Sequence, residues 1–175
     1  SLFVEVWLNW SPAPEETLQA AYDAAKRAVA LDDRDETGHA MLSFVYTFQG
    51  RHETALAEAR RAVELNPGNP HSQNALGTAC NWGSGEYEEA IPFFDTALRL
   101  SPADQYMFSW LGSQAVSHYH LRRYEEAIEC ARKALRNRHG YIFGRAVISA
   151  SLAQLGRTEE ANTELAEIMD LKPDF

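Results

Sequence analysis

Histidine pairs, a glycine-flanked serine and acidic doublets are the groups in this chain that could do chemistry, and their spacing argues against each. His118 and His120 form the closest histidine pair. Two positions apart on a helix, they stand about 200° apart, face opposite ways and cannot share a metal ion. Gly83-Ser84-Gly85 has the glycines of a phosphate loop but not its Lys-Ser/Thr, and fits a connection between helices. Glu88-Glu89, Glu125-Glu126 and Glu159-Glu160 are paired carboxylates, the raw material of acid–base catalysis. They recur at one fixed place in a repeating pattern, at helix starts where the dipole favours negative charge, and read as structural. Cys80 and Cys130 make neither a CxxC zinc motif nor a disulfide framework, which favours a reducing cytoplasm. No Ser-His-Asp grouping can be assembled without a pocket. The expectation is a chain with no catalytic residues, no metal and no cofactor.

The elements that would hold any site belong to a soluble globular protein. Of 175 residues, 45% are hydrophobic and 23% charged, which suits a packed core and excludes wholesale disorder. No apolar run reaches the roughly 20 residues a membrane-spanning helix needs. Ser1–Trp10 is apolar but short, contains Glu5 and has no basic lead-in, so it makes a poor signal peptide. The absence of an initiator Met is read as a sign of a longer parent protein. Sixteen basic against 25 acidic residues give a net charge of −9, which argues against nucleic acid as a partner. Arg122, Arg123, Arg132, Lys133, Arg136, Arg138 and Arg145 are a local exception. Glu129 precedes Lys133 by one helical turn, and Arg136 and Arg138 suit a helix C-terminus, so the cluster reads mainly as structural. The alternative is a small patch for an anion or an acidic partner.

Self-similarity organises the whole chain. HETALAEARRAVELNPGN, EYEEAIPFFDTALRLSPAD, RYEEAIECARKALRNRHGY and RTEEANTELAEIMDLKPDF align on Ala55, Ala90, Ala127 and Ala161, at intervals of 35, 37 and 34 residues. Ala21 marks an earlier copy. Four and seven positions beyond the anchors stand Ala59/Ala62, Phe94/Ala97, Ala131/Ala134 and Leu165/Ile168, on one helix face. Pro67, Pro102 and Pro173 end three of the units. Another amphipathic stretch precedes each anchored helix, so each unit reads as a helical hairpin that buries its apolar face only by stacking on its neighbours.

The pattern resembles the tetratricopeptide repeat (TPR): Trp-x2-Leu-Gly-x2-Tyr, then Ala-x3-Phe, then Pro. Leu42 and Tyr46 match it in one unit, Leu76 and Gly77 in the next, and Phe94 and the prolines also fit. Ser43 for Gly, Cys80 for Tyr and His139 for the third proline depart from it. The resemblance implies an all-α, right-handed superhelix of about ten helices, near 1–10, 14–31, 36–49, 52–65, 70–82, 86–100, 103–121, 124–137, 141–155 and 158–171. These form a single domain over 1–175, with a partial repeat at 1–34 and full repeats at 36–69, 70–104, 105–141 and 142–175. Extra residues near Gly83–Gly85 and Gln105–Met107 are assigned to loops. His118 stands where such repeats place a packed tyrosine, and reads as an interior residue. NWSPAPEETLQAAYDAAKRAVALD, FQGRHETALAEARRAVELNPGNP and LAQLGRTEEANTELAEIMDLKPDF are also similar to TPR segments attached to bacterial class III nucleotide cyclases and winged-helix regulators.

In this fold, positions 2, 5, 9, 12 and 13 of each first helix line a concave groove. They fall on Thr37, Ala40, Phe44, Thr47 and Phe48; His71, Asn74, Thr78, Asn81 and Trp82; Ser109, Gly112, Val116, Tyr119 and His120; and Phe143, Ala146, Ala150, Ala153 and Gln154. The arc has no acid, lysine or arginine, and Ala40 and Phe44 replace the first lysine and asparagine of a carboxylate clamp. The expected binding residues are Phe44, Phe48, Asn74, Thr78, Asn81, Trp82, Val116, Tyr119, His120 and Phe143. They suggest a scaffold that holds a peptide or helix in a neutral aromatic groove, as a regulatory part of a cytoplasmic signalling protein. The plainer reading is that these aromatics seal helix contacts. Two further alternatives are a sensor for a small apolar ligand and an accessory domain of a cyclase. Leu165, Ile168, Met169, Leu171 and Phe175 near the C-terminus suggest a face covered by a second copy, as a homodimer, or by a following segment.

Overall fold

The computed structural model describes residues 13–172. Among them are nine α-helices: α1 (Pro14–Leu31), α2 (Glu36–Phe48), α3 (His52–Leu65), α4 (Pro70–Ala79), α5 (Tyr87–Leu100), α6 (Met107–His120), α7 (Tyr124–Asn137), α8 (Ile142–Gln154) and α9 (Thr158–Leu171). The helix expected near 1–10, Pro173 and Phe175 lie outside the described residues.

Local chemistry sets the helix ends. The Asp35 carboxylate accepts the Thr37 N–H at 3.1 Å, and the Asn69 side chain accepts the His71 N–H at 2.9 Å, which caps α2 and α4. Pro14 and Pro70 open α1 and α4, where a missing N–H costs nothing. The acidic doublets occupy the first turns of α5, α7 and α9. They also tie neighbouring hairpins together, because Arg123 reaches Glu88 at 3.0 Å and Arg157 reaches Glu125 at 3.6 Å. These pairs are exposed, so their worth is small.

Three of the hairpins turn by the same device. The N–H groups of Arg51, Arg123 and Arg157 donate back to the carbonyls of Tyr46, His118 and Leu152, each at 2.9 Å. Such a cap requires a left-handed residue just before the donor. Gly50 and Gly156 supply it at φ of 69° and 74°, but in the third hairpin Arg122 is forced to φ 59°. The second hairpin is different, and here the sequence expectation is corrected. Its extra residue is not in an irregular loop. It is absorbed in a π-helical turn, Cys80–Ser84, which continues α4 and ends at left-handed Gly85. The three extra residues near 105–107 do fall in the connection to α6 and its first turn.

The chain divides into two compact units on either side of the Glu86–Tyr87 bond, within the second repeat. In the first, α2 packs against α1, α3 and α4. Leu42 and Tyr46 of α2 meet Ala25 and Ala55 in a small core, flanked by Tyr22, Val29 and Met41. In the second, α6 packs on α5, α7 and α8, and α8 also packs on α7 and α9. Its core joins Ala115, Ala127, Ala131, Val147, Ile148 and Leu152 with Ala161. The anchor alanines Ala55, Ala90, Ala127 and Ala161 are buried, because only a methyl group lets the two helices of a hairpin approach so closely, whereas Ala21 of the earlier copy is only partly buried.

A polar pair crosses the first and last hairpins at the same register. His39 Nδ1 lies 2.6 Å from Glu58 Oε2, with Nε2 3.1 Å from the Asp33 carbonyl oxygen. Arg145, 7% exposed, donates to Glu164 at 2.8 Å and also approaches Glu167 at 3.5 Å. The equivalent positions of the third hairpin are Leu111 and Cys130, both buried and uncharged.

Candidate functional site

The ten expected binding residues divide six and four between the two units. In the first, Phe44, Asn74, Thr78 and Asn81 are buried, whereas Phe48 and Trp82 are 36% and 38% exposed. Phe48 ends α2, and Trp82 stands in the π-helical turn beyond α4, at the same repeat register. The inner turns of α2 and α4 therefore form a buried floor, and the last turns present large rings to solvent. Among the described residues, the buried Asn74 Oδ1 accepts no hydrogen bond. An unmatched buried acceptor of this kind costs about 1–3 kcal/mol.

In the second unit, Val116 belongs to the hydrophobic core, and Tyr119 and Phe143 pack against it. His120 is exposed but lies face to face with Tyr87, centroids 4.3 Å apart and planes within 5°. Tyr119 contacts His120 and Tyr124 edge-on or tilted, at 5.6 and 5.7 Å.

A residue that helix periodicity does not single out dominates the second unit's arc. Tyr141 precedes α8 and is 2% exposed. Its ring lies so close to Gly112 that a Cβ there would sit 2.4 Å from the hydroxyl oxygen and 2.8 Å from Cε1. Phe108 meets the ring edge-on at 5.0 Å, and the Arg138 guanidinium lies 4.9 Å from the centre of the Phe108 ring. The juxtaposition of Gly112 on the arc with Gly144 just beyond Tyr141 was the available sequence signal.

The catalytic candidates stay apart. His118 is partly buried, its Nδ1 accepts or donates no hydrogen bond among the described residues, and desolvation holds its pKa below the usual value. Burial pushes the Cys130 thiol up to about 11, and Gln114 accepts from its Sγ at 3.7 Å. Among the described residues, no three His, Cys, Asp or Glu side chains gather as metal ligands. None of the described helices is long and apolar enough to cross a membrane. The basic cluster is dispersed: Lys133 pairs with Glu129 at 2.7 Å, while Arg123 and Arg145 are held in the pairs above.

Stacked antiparallel hairpins with an alanine seam are the architecture of tetratricopeptide-repeat proteins, and comparison with known proteins agrees. Tetratricopeptide-repeat family models match residues 46–105 and 112–138. Among solved structures, a thermophilic TPR protein of Thermus thermophilus aligns at TM-score 0.76 and 17% identity, over 99% of this chain and 93% of that one. MamA residues 41–end from Desulfovibrio magneticus RS-1 align at TM-score 0.71 and 16% identity, over 93% and 87%. YrrB, described as a TPR protein with an unusual peptide-binding site, aligns at 0.67 and 18%, over 93% and 81%. No curated protein matches the chain in sequence. The fold is the tetratricopeptide-repeat fold, all-α and built from stacked hairpins.

Proposed function

We propose that this chain is a protein-interaction module without catalysis of its own, which takes an uncharged, apolar peptide segment on the arc formed by α2 and α4. The observation that carries the reading is the exposure of Phe48 and Trp82, 36% and 38%, at one repeat register. Two large rings presented together are the usual material of a binding hot spot. The neutral lining supports an uncharged ligand, since an acidic or basic segment would lose its hydration there without gaining a counter-charge. Asn74 Oδ1 supports an extended peptide, whose N–H groups are the donors that this acceptor lacks among the described residues. A peptide-binding site is also what the YrrB structure is described as having. The resemblance of three segments to those attached to cyclases and winged-helix regulators supports a regulatory place in a larger signalling protein.

The test is to select twelve-residue peptides from a phage-displayed library on the full chain, then measure their binding to Trp82→Ala and Leu42→Ala. Leu42 is 4% exposed and packs in the first unit's core, so its truncation leaves an enclosed cavity and costs about 2–5 kcal/mol. Trp82 stands half open to solvent, so its loss leaves no sealed cavity and shifts the melting midpoint less. Peptide binding should nevertheless fall at least tenfold in Trp82→Ala. Destabilisation of both variants alike, with binding unchanged in Trp82→Ala, refutes the reading.

A further inference from the structure

We infer that α9 carries a docking face of its own, and that the occupant is an amphipathic helix with basic flanks on another protein. The face shares no residue with the arc of α2 and α4 and needs nothing from it.

The register of the repeat defines the face. Leu165 stands four residues after its anchor alanine, where Ala59, Phe94 and Ala131 are fully buried in the other hairpins, yet it is 46% exposed. Met169, four residues further on, is 44% exposed, whereas Val63, Leu98 and Leu135 at that place are half-buried. Asn162, next after the anchor, is exposed where Ile128 is buried. At about 100° per residue, Asn162, Leu165 and Met169 share one stripe. The second helices α3, α5 and α7 are each packed by the first helix of the following hairpin, α4, α6 and α8 in turn. Ile128 and Ala131 of α7 thus share a cluster with Val147 and Ile148 of α8. Pro173–Phe175 lie outside the described residues and amount to less than one helical turn, too little to replace such a helix. A helix that caps a solenoid against water is polar on this face, and α9 has Leu165 and Met169 there.

Charge decides what can lie on it. Five carboxylates, Glu159, Glu160, Glu164, Glu167 and Asp170, stand on α9 with neither lysine nor arginine; Lys172 follows its end. The covered helix α7 instead balances Glu125, Glu126 and Glu129 with Arg132, Lys133 and Arg136. Arg157 holds Glu160 at 2.6 Å, and Arg145 holds Glu164 at 2.8 Å and approaches Glu167 at 3.5 Å. Glu159 and Asp170 are exposed and have no ion-pair partner among the described residues. They border the stripe on one side, about 120° and 140° round from Leu165, and lie about 16 Å apart along the axis. A second copy is therefore a poor occupant, because in an antiparallel pair of α9 helices Glu159 of each would meet Asp170 of the other, and like charges repel. One more hairpin of the same kind fits no better, since α4 and α6, the first helices that pack on α3 and α5, contain no lysine or arginine. What fits is a helix with an apolar stripe for Leu165 and Met169, and lysine or arginine about eleven positions apart along the flank that meets Glu159 and Asp170.

Three labelled peptides, titrated with the full chain and followed by fluorescence anisotropy, test this. The first is an amphipathic helix of leucine, alanine and lysine, with lysines eleven positions apart beside the leucine stripe. The second has glutamate in place of each lysine. The third is residues 107–120 of this chain, standing for the first helix of a further hairpin. The lysine peptide should bind at least tenfold more tightly than either of the others. Leu165→Ser with Met169→Ser should weaken it at least tenfold. Glu159→Gln with Asp170→Asn should weaken it several-fold and reduce its sensitivity to salt. All four side chains are exposed, so the helical circular dichroism should not change. Equal binding of the lysine and glutamate peptides overturns the inference, as does lysine-peptide binding that survives the loss of Leu165 and Met169. Tighter binding of the 107–120 peptide overturns it in favour of a further hairpin. A dimer in sedimentation that Leu165→Ser dissolves overturns it in favour of a second copy.

Discussion

Gly112→Ala is normally a stabilising change, and here it should do harm. In a helix interior, replacing glycine by alanine gains about 0.8–1.0 kcal/mol through backbone entropy. At this position the new methyl group would stand 2.4 Å from the Tyr141 hydroxyl oxygen, 2.8 Å from Cε1 and 3.0 Å from Cζ. The ring cannot retreat cheaply, because it is 2% exposed and held by Phe108 at 5.0 Å. Overpacking of this kind costs about 1–3 kcal/mol, and three short contacts in a closed site place it near the upper end. The net loss is then about 1–2 kcal/mol, or roughly 2–8 °C in melting midpoint for a chain of this size. Urea unfolding followed by circular dichroism measures it directly, with an unchanged slope showing that stability alone has moved. In a Tyr141→Ala background the obstruction is gone, and the same substitution should recover its gain of about 1 kcal/mol. The double-mutant cycle should therefore show a coupling of about 2–3 kcal/mol. A rise in melting midpoint for Gly112→Ala in the wild-type background, or additivity in the cycle, refutes the tight packing of Tyr141 on α6.

Other outcomes follow from single residues. Arg122 holds φ 59° where the equivalent turns use glycine, so Arg122→Gly should stabilise the third hairpin by up to about 1 kcal/mol, read as a higher urea midpoint. Arg145→Ala strands the half-buried Glu164 carboxylate and should cost about 2–4 kcal/mol, whereas Arg145→Met, which restores the packing, should cost less. His118 is held below its ordinary pKa of 6.5 by burial, so the folded state binds its proton less readily than the unfolded chain. Its contribution to stability is complete above pH 6.5 and is lost as the pH falls through that value and then through the lower folded pKa. Unfolding midpoints between pH 5 and 8 should show that loss on acidification, and His118→Phe should flatten it.

The helical scheme was legible because alanine is a demanding requirement. Ala55, Ala90, Ala127 and Ala161 recur at nearly one spacing since each lies where two helices touch, and Pro67 and Pro102 mark where two of the second helices stop. The π-helical turn was not legible. Cys80–Ser84 differs from a loop only in where its carbonyls point, and the glycines at 83 and 85 suit either arrangement. The helical wheel placed Phe44, Asn74 and Trp82 on one arc, but depth is a property of the neighbours, and two of these three are buried. Tyr141 escaped because it precedes its helix and belongs to no periodic face, so its packing depends on two glycines distant from each other in the chain.

The polar pairs of the first and last hairpins bear on which helices can close on one another. A chain of similar hairpins can pair the wrong helices, and repeat proteins misassemble in this way. Here a first helix carries His39 or Arg145, a second helix carries Glu58 or Glu164, and the third hairpin carries neither member of such a pair. If α3 closed on α6, Glu58 would face Leu111 and be stripped of water with no cation to meet it, a fault of several kcal/mol. The pairs thus serve as address labels that penalise closure on a mate lacking the matching group. They do not reject the right mate from another molecule: α3 of one copy recreates the same pair on α2 of a second. Exchange of whole helices between identical chains is therefore an error these labels leave unguarded, as is a cross between the first and last hairpins, where Glu58 would meet Arg145 and Glu164 would meet His39.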